Sequence, residues 1–142
     1  MISIEKLMLE EHKRLNKFLD ILERDLDDYE KTKINFNKLK WNLEKHFFTE
    51  EKVIFNMFMQ ISDQETSDTF NLLSDHVKIM QLIKQIEKEL SKKIKPKIHI
   101  LKEMLITHKD FEDEDFYPKL DQRLTSDQKK EISNRIKEII LG

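Results

Sequence analysis

Apolar side chains recur at intervals of three and four residues along almost the whole chain, and that period leaves little choice of fold. A first stripe runs Ile4, Met8, position 12, Leu15, Leu19, Leu22, Leu26 and Tyr29. The spacing predicts a helix of about 25 residues with one apolar face. Ser3 is its expected N-cap, and Lys31-Thr32-Lys33 the expected turn. A second stripe holds Phe36, Leu39, Leu43, positions 46 and 50, Val53 and Met57, with a loop expected at Ser62-Asp63-Gln64-Glu65. A third holds Leu73, position 76, Met80, Ile83, Ile86 and Leu90. Pro96 suits the first turn of the next helix. The fourth stripe is Ile98, Leu101, Leu105, positions 108 and 112, and Phe116, and Tyr117-Pro118 is expected to end it. Thr125 and Gln128 can form a capping box for a shorter helix carrying Ile132, Ile136, Ile139 and Ile140. The expected fold is all-α: an up-down-up-down four-helix bundle with a short C-terminal fifth helix, as one domain over residues 1–142.

The residue usage agrees. One Gly and two Pro in 142 residues leave few breakers. The 26 basic and 28 acidic residues nearly cancel, so net charge gives no sign of nucleic-acid binding. No apolar run approaches the roughly 20 residues of a membrane span. The N-terminal residues lack the apolar core of a signal peptide. Cysteine is absent, which removes disulfides, thiolate metal sites and cysteine nucleophiles and suits a reducing compartment. The expected location is the cytoplasm. No exposed apolar stripe is legible that would predict an oligomer.

The open positions in the stripes are His12, His46, Glu50, His76, His108 and Glu112. Each stands where the period demands an apolar side chain. Burying one polar group without a partner costs roughly 2–7 kcal/mol, and a charge costs more. Six of them on core-facing stripes must satisfy one another or a metal. His46 and Glu50 are four residues apart, as are His108 and Glu112, so each pair lies on one helix face and can reach one point. The chain also repeats itself: His12 precedes His46 by 34 residues, and His76 precedes His108 by 32. Each half supplies a lone histidine and then a His-x-x-x-Glu pair. Two such hairpins packed face to face gather six ligands with approximate two-fold symmetry, which suits two metal ions.

Imidazole with carboxylate suits Fe, Zn, Mn or Cu, and without thiolates there is no bias to structural zinc. If both carboxylates bridge and each ion takes two histidines, each ion has four ligands. Octahedral iron then keeps two positions. A shared oxo or hydroxo bridge fills one and leaves one open on each ion, as a site reactive toward O2, NO or peroxide requires.

The order lone His, His-x-x-x-Glu, lone His, His-x-x-x-Glu resembles the hemerythrin family, in particular its HHE cation-binding branch. His108-x-x-x-Glu112 followed by Tyr117-Pro118 is similar to the family form H-x-x-x-E-E-x-x-x-x-P. The resemblance extends from about residue 5 to 120. It implies a di-iron centre with His12, His46, Glu50, His76, His108 and Glu112 as ligands, and a small diatomic molecule or peroxide as its ligand. Oxygen-carrying members have a fifth histidine four residues from that of the third helix; here Leu72 and Met80 occupy those positions. The chain is thus similar to four-histidine members, among them iron-centre repair proteins and iron- or oxygen-sensing domains. The repair proteins carry a cysteine-bearing N-terminal domain, which moves the expectation toward binding or sensing O2, NO or iron rather than repair or peroxide- or NO-directed catalysis.

Taken singly, a buried histidine is more often a core residue bonded to a neighbour. The two matched pairs reverse that weighting for His12 and His76. Glu51 and Asp113, five residues after their histidines, are rivals as bridging carboxylates, but Glu50 and Glu112 preserve both the four-residue spacing and the repeat. His99 lies nine residues before His108, about half a turn round, and is expected to face solvent. Phe47, Phe48, Phe55, Phe111 and Phe116 are expected mostly in the core, some beside the metals. Trp41 and Tyr117 are expected to be packing residues.

Overall fold

The structure is a computed structural model that describes residues 3–61 and 64–141. The described residues form helices α1 (Ile4–Arg24), α2 (Tyr29–Thr49), α3 (Asn56–Ile61), α4 (Gln64–Ser91), α5 (His99–Phe111), α6 (Tyr117–Arg123) and α7 (Ser126–Leu141). A π-helical segment, Glu50–Phe55, joins α2 to α3, and another, Glu112–Phe116, joins α5 to α6. Residues 29–61 and 99–123 are therefore two continuous rods. With α1 and α4 they make the four-helix bundle, and α7 is the fifth helix, packed on α1 and α2. No strand occurs among the described residues, and no helix among them is long and apolar enough to cross a membrane.

Local chemistry explains the ends. The Ser3 hydroxyl accepts from the Lys6 amide at the start of α1, and Asp121 of α6 accepts from the amides of Ile4 and Glu5. The turn after α1 falls at 25–28, earlier than Lys31-Thr32-Lys33, because the Asp28 carboxylate caps α2 by accepting from the Lys31 amide. Thr32 then lies inside α2 and donates its hydroxyl to the Asp25 carbonyl. Of the loop expected at 62–65, Ser62 and Asp63 lie outside the described residues, whereas Gln64 already begins α4.

Helix α4 ends with Lys93 in the left-handed region (φ 57), while the Ile94 amide reaches back to the Glu89 carbonyl. Pro96 sits in the extended connection that follows, three residues ahead of α5 and not in its first turn. Pro118 does not end the fourth rod either. It occupies the first turn of α6, where a missing amide donor is tolerated, and the rod continues to Arg123. Thr125 and Gln128 do form the reciprocal capping box, with bonds of 2.9 and 3.2 Å.

The apolar core is divided. Ile4, Met8, Ile54, Phe58, Phe116 and Ile136 belong to one cluster. Leu19, Leu22, Phe36, Leu39, Ile83 and Leu101 belong to the other. Along every rod the six polar interruptions fall between the two. Around His76 on α4, Leu72 and Ile79 are fully buried, whereas the stripe positions Leu73 and Met80 are only partly buried. Phe48 and Trp41 are exposed, not packed inside. With Ile34 they form an exposed apolar stripe at seven-residue spacing on α2, which the sequence did not suggest.

Candidate metal centre

All six residues that interrupt the stripes are buried. His12 comes from α1, His46 from α2, His76 from α4 and His108 from α5. Glu50 and Glu112 each open a π-helical segment. Their Oε1 atoms sit between the imidazoles. Glu50 Oε1 lies 3.0 Å from His46 Nε2 and 3.3 Å from His76 Nε2. Glu112 Oε1 lies 3.3 Å from both His12 Nε2 and His108 Nε2. Two donor sets result, His12–His46–Glu50–Glu112 and Glu50–His76–His108–Glu112, in each of which the ligand-type atoms lie within 4.8 Å of one another. The sets share both carboxylates.

The outer faces of the rings are also engaged. His12 Nδ1 is 2.7 Å from Asp113, His76 Nδ1 is 3.1 Å from Glu51, and His108 Nδ1 is 3.0 Å from Asp75. Glu11 stands 3.9 Å from His46 Nδ1, beyond hydrogen-bond range. A carboxylate outside the ring favours the tautomer with Nδ1 protonated and turns the Nε2 lone pair inward. The rivals Glu51 and Asp113 therefore stand outside the histidines, and neither belongs to a shared donor set. Glu11 and Asp75 were not singled out from the sequence. Their signal was in the repeat, since each immediately precedes a lone histidine, just as Glu51 and Asp113 each follow a shared glutamate.

Tyr117 is more than a packing residue. It is fully buried, and its hydroxyl donates to Glu50 Oε2 and, at 3.4 Å, to Glu112 Oε2. On an ideal α-helix a residue five after Glu112 would stand about 140° away from it. The π-turn contains an extra residue and brings Tyr117 back to the same side, which is why a 3.6-residue reading missed it. Phe55 holds the equivalent place in the first half and stacks on His76 with ring centroids 5.6 Å apart.

The electrostatics follow from burial and crowded carboxylates. Burial opposes charge on His12, but Asp113, Glu112 and Glu50 outweigh it and raise its pKa from 6.5 to about 10. His108 is raised to about 9, again against burial, by Glu112, Glu50 and Asp75. His76 is raised by Glu50 and Glu51 in the same way. Glu50, despite complete burial, is held well below the usual carboxylate range by His46, Glu112 and His76. Burial, reinforced by the two glutamates, pushes the Tyr117 phenol up.

A cation fits this arrangement. His12 Nε2, His46 Nδ1, Glu50 Oε1 and Glu112 Oε1 are buried without a hydrogen-bond partner. His76 Nε2 and His108 Nε2 face each other at 3.2 Å while their Nδ1 atoms are occupied by carboxylates. Two inward lone pairs at that distance need a proton or a metal ion between them. A cavity of about 30 Å³ borders the donor sets at His12, His46, His108 and Glu112. Leu15, Leu19, Leu39, Leu43, Phe47 and Leu105 line most of the rest, with Asn16 and Lys109. It is large enough for a water-sized molecule and too apolar to hold one well. Leucines make most of its wall, and of the aromatics expected beside the metals Phe47 lines it while Phe47 and Phe55 stack on His76. His99 is exposed at the start of α5, as its spacing predicts.

Comparison with known proteins agrees with this geometry. The family model described as the hemerythrin HHE cation-binding domain matches residues 3–120. No curated protein and no solved structure matches the chain. A match over most of the chain, and a bundle whose core presents histidine and glutamate donors, lead to one assignment: the chain belongs to the hemerythrin family of HHE cation-binding domains.

Proposed function

We propose that this domain is a non-haem di-iron protein that binds or senses O2, NO or iron, with His12, His46, Glu50, His76, His108 and Glu112 as its ligands. The observation that carries the reading is the pair of four-residue donor sets sharing Glu50 and Glu112 beside an apolar cavity. An all-nitrogen-and-oxygen donor set without thiolate suits iron. Bound iron would supply a position at which a diatomic molecule or peroxide can attach. The protein's own residues do the rest. Asp113, Glu51 and Asp75 orient three imidazoles. The phenol of Tyr117 fixes the far oxygens of both glutamates. The leucines of the cavity exclude water beside His12 and His46 and favour a small apolar guest.

A second reading, an enzyme acting on peroxide or NO, is favoured by Tyr117, whose O–H is held at both carboxylates and could hand a proton to a bound molecule. Metal analysis after anaerobic reconstitution tests the main proposal: two irons per chain are expected, and a folded, reconstituted protein that retains none refutes it. Glu50→Ala or Glu112→Ala should abolish retention, and His99→Ala should not. Stopped-flow mixing of the reduced protein with O2 or peroxide separates the two readings. A persistent, reversible adduct marks binding, and multiple turnover with peroxide marks catalysis.

A further inference from the structure

The two donor sets share their carboxylates but not their access to solvent. Beside His12 and His46, the outer carboxylates Asp113 and Glu11 are 15% and 6% exposed. Beside His76 and His108, Glu51 and Asp75 are 40% and 38% exposed. A groove of about 710 Å³ runs between α2 and α4, and His76 lies on its wall with Glu51, Leu73, Val77 and Met80. Phe47, stacked on the His76 ring at 3.9 Å, closes its inner end.

Two other approaches among the described residues are less suited to a cation. A groove between α1 and α7 reaches Glu11 but no histidine. There Arg14 covers Glu11 at 2.9 Å and is itself held by Asn42 at 2.8 Å. The cavity at His12, His46 and His108 is small, mostly leucine-lined and carries Lys109, a poor route for an ion that must travel with part of its water shell.

We propose that the α2–α4 groove is the metal-exchange portal of this domain. A divalent cation enters and leaves through the His76–His108 half, with Glu51 the first carboxylate it meets. The His12–His46 half, turned to the dry cavity, retains its ion. The proposal rests on the metal-centre reading above. Its physical basis is that a hydrated cation loses water stepwise and needs an oxygen ligand at each step. Glu51 offers one while half in solvent, and a carboxylate that turns outward to meet the cation also releases His76 Nδ1. Nothing equivalent exists beside His46, where Glu11 is buried under Arg14.

The full chain, loaded anaerobically with two Fe(II) ions, tests this through release to an excess of a coloured ferrous chelator. Two phases of equal amplitude are expected. Val77 is 59% exposed, so Val77→Trp should fold normally while filling the mouth of the groove. It should slow the fast phase at least tenfold and leave the slow one unchanged. Glu51→Gln keeps a partner for His76 but removes the charge, and should slow Fe(II) uptake several-fold at unchanged stoichiometry. Lys137→Trp, on the α1–α7 groove, should alter neither rate. Release in a single phase, or two phases indifferent to Val77→Trp, overturns the portal while leaving the di-iron reading intact. A folded chain that binds no iron overturns the di-iron reading itself.

Discussion

Loading this centre should expel protons, and the number is fixed by the histidines. With no metal present, His12 (about 10) and His108 (about 9) carry a proton at pH 7, the latter shared across the 3.2 Å between the Nε2 atoms of His108 and His76. A ligating imidazole keeps Nδ1–H on its outer carboxylate and must surrender the proton on Nε2. Loading at pH 7 should therefore release about two protons per chain, one from His12 and one from the His76–His108 pair. Each such proton changes affinity about tenfold per pH unit, or about 1.4 kcal/mol, so the overall binding constant should climb roughly 100-fold per unit near neutrality.

The same protons set the stability of the metal-free fold. Histidine pKa values raised above the ordinary 6.5 mean that the folded state holds the proton more tightly. That contribution is complete below pH 6.5 and is lost as pH rises through about 9 for His108 and about 10 for His12. For His12 alone it is on the order of 4 kcal/mol. The depressed Glu50 acts in the opposite sense: its contribution is present above its ordinary 4.5 and disappears as pH falls below. Metal-free protein should thus melt highest near pH 5–6.5 and progressively lower toward pH 10. Titration calorimetry with a divalent metal in two buffers of different ionisation enthalpy gives the proton count, and thermal melts give the stability. Release of fewer than one proton at pH 7, or a metal-free melting temperature that rises from pH 6.5 to 9, would refute the electrostatic argument.

Tyr117→Phe should retain two irons, because Phe55 fills the equivalent place in the first half, but lose about 1.5–3 kcal/mol of metal-free stability in urea, as expected for a buried hydrogen bond to a charged group. A loss of iron stoichiometry in that variant would make the phenol essential to assembly rather than a clamp on the glutamates. Phe36→Ala should cost about 3–5 kcal/mol by opening a cavity in the cluster beside the centre, whereas Trp41→Glu on the exposed stripe should change stability by less than about 0.5 kcal/mol, both measured by chemical denaturation. Narrowing the apolar cavity with Leu43→Phe should weaken azide binding to the oxidised, iron-loaded protein without changing its iron content, and unchanged azide affinity would mean that the cavity is not the ligand's place.

The bundle and the six inward-facing polar residues were legible because α-helical periodicity fixes which residues share a face over many turns. What the sequence hid lay where that periodicity changes or where a cap outweighs it. The π-turns after Thr49 and Phe111 carry no composition signal, so Tyr117 read as a packing residue and Pro118 as a helix end. Asp28 moved the first turn from 31–33 to 25–28 because one capping bond outweighs a run of Lys and Thr that a helix tolerates. Phe48 and Trp41 read as core from residue type, but α2 is apolar on more than one side, and its packing against α1, α7 and α4 decides which side is covered. The outer carboxylates escaped because acidic residues are common on any helix. Only their position beside each ligand-type residue, repeated in both halves, distinguishes them.

That repeated position explains how the halves depend on each other. In each half the acidic residue before the lone histidine faces the paired histidine of the same half: Glu11 stands toward His46, and Asp75 binds His108. The acidic residue after the shared glutamate crosses over: Asp113 binds His12, and Glu51 binds His76. The shared glutamates cross as well, Glu112 to His12 and Glu50 to His76. Neither hairpin alone can supply a lone histidine with its carboxylates, so closing the bundle and building the centre are one event. Where the halves stop being equivalent, they acquire separate tasks. Phe55 faces Tyr117 across the repeat, so one half brings a phenol to the glutamates and the other an apolar ring to His76. Asp113 and Glu11 are much less exposed than Glu51 and Asp75, so one half meets solvent more than the other. The duplicated pattern accounts for two donor sets that share both carboxylates, and the departures from it account for the difference in their access to solvent.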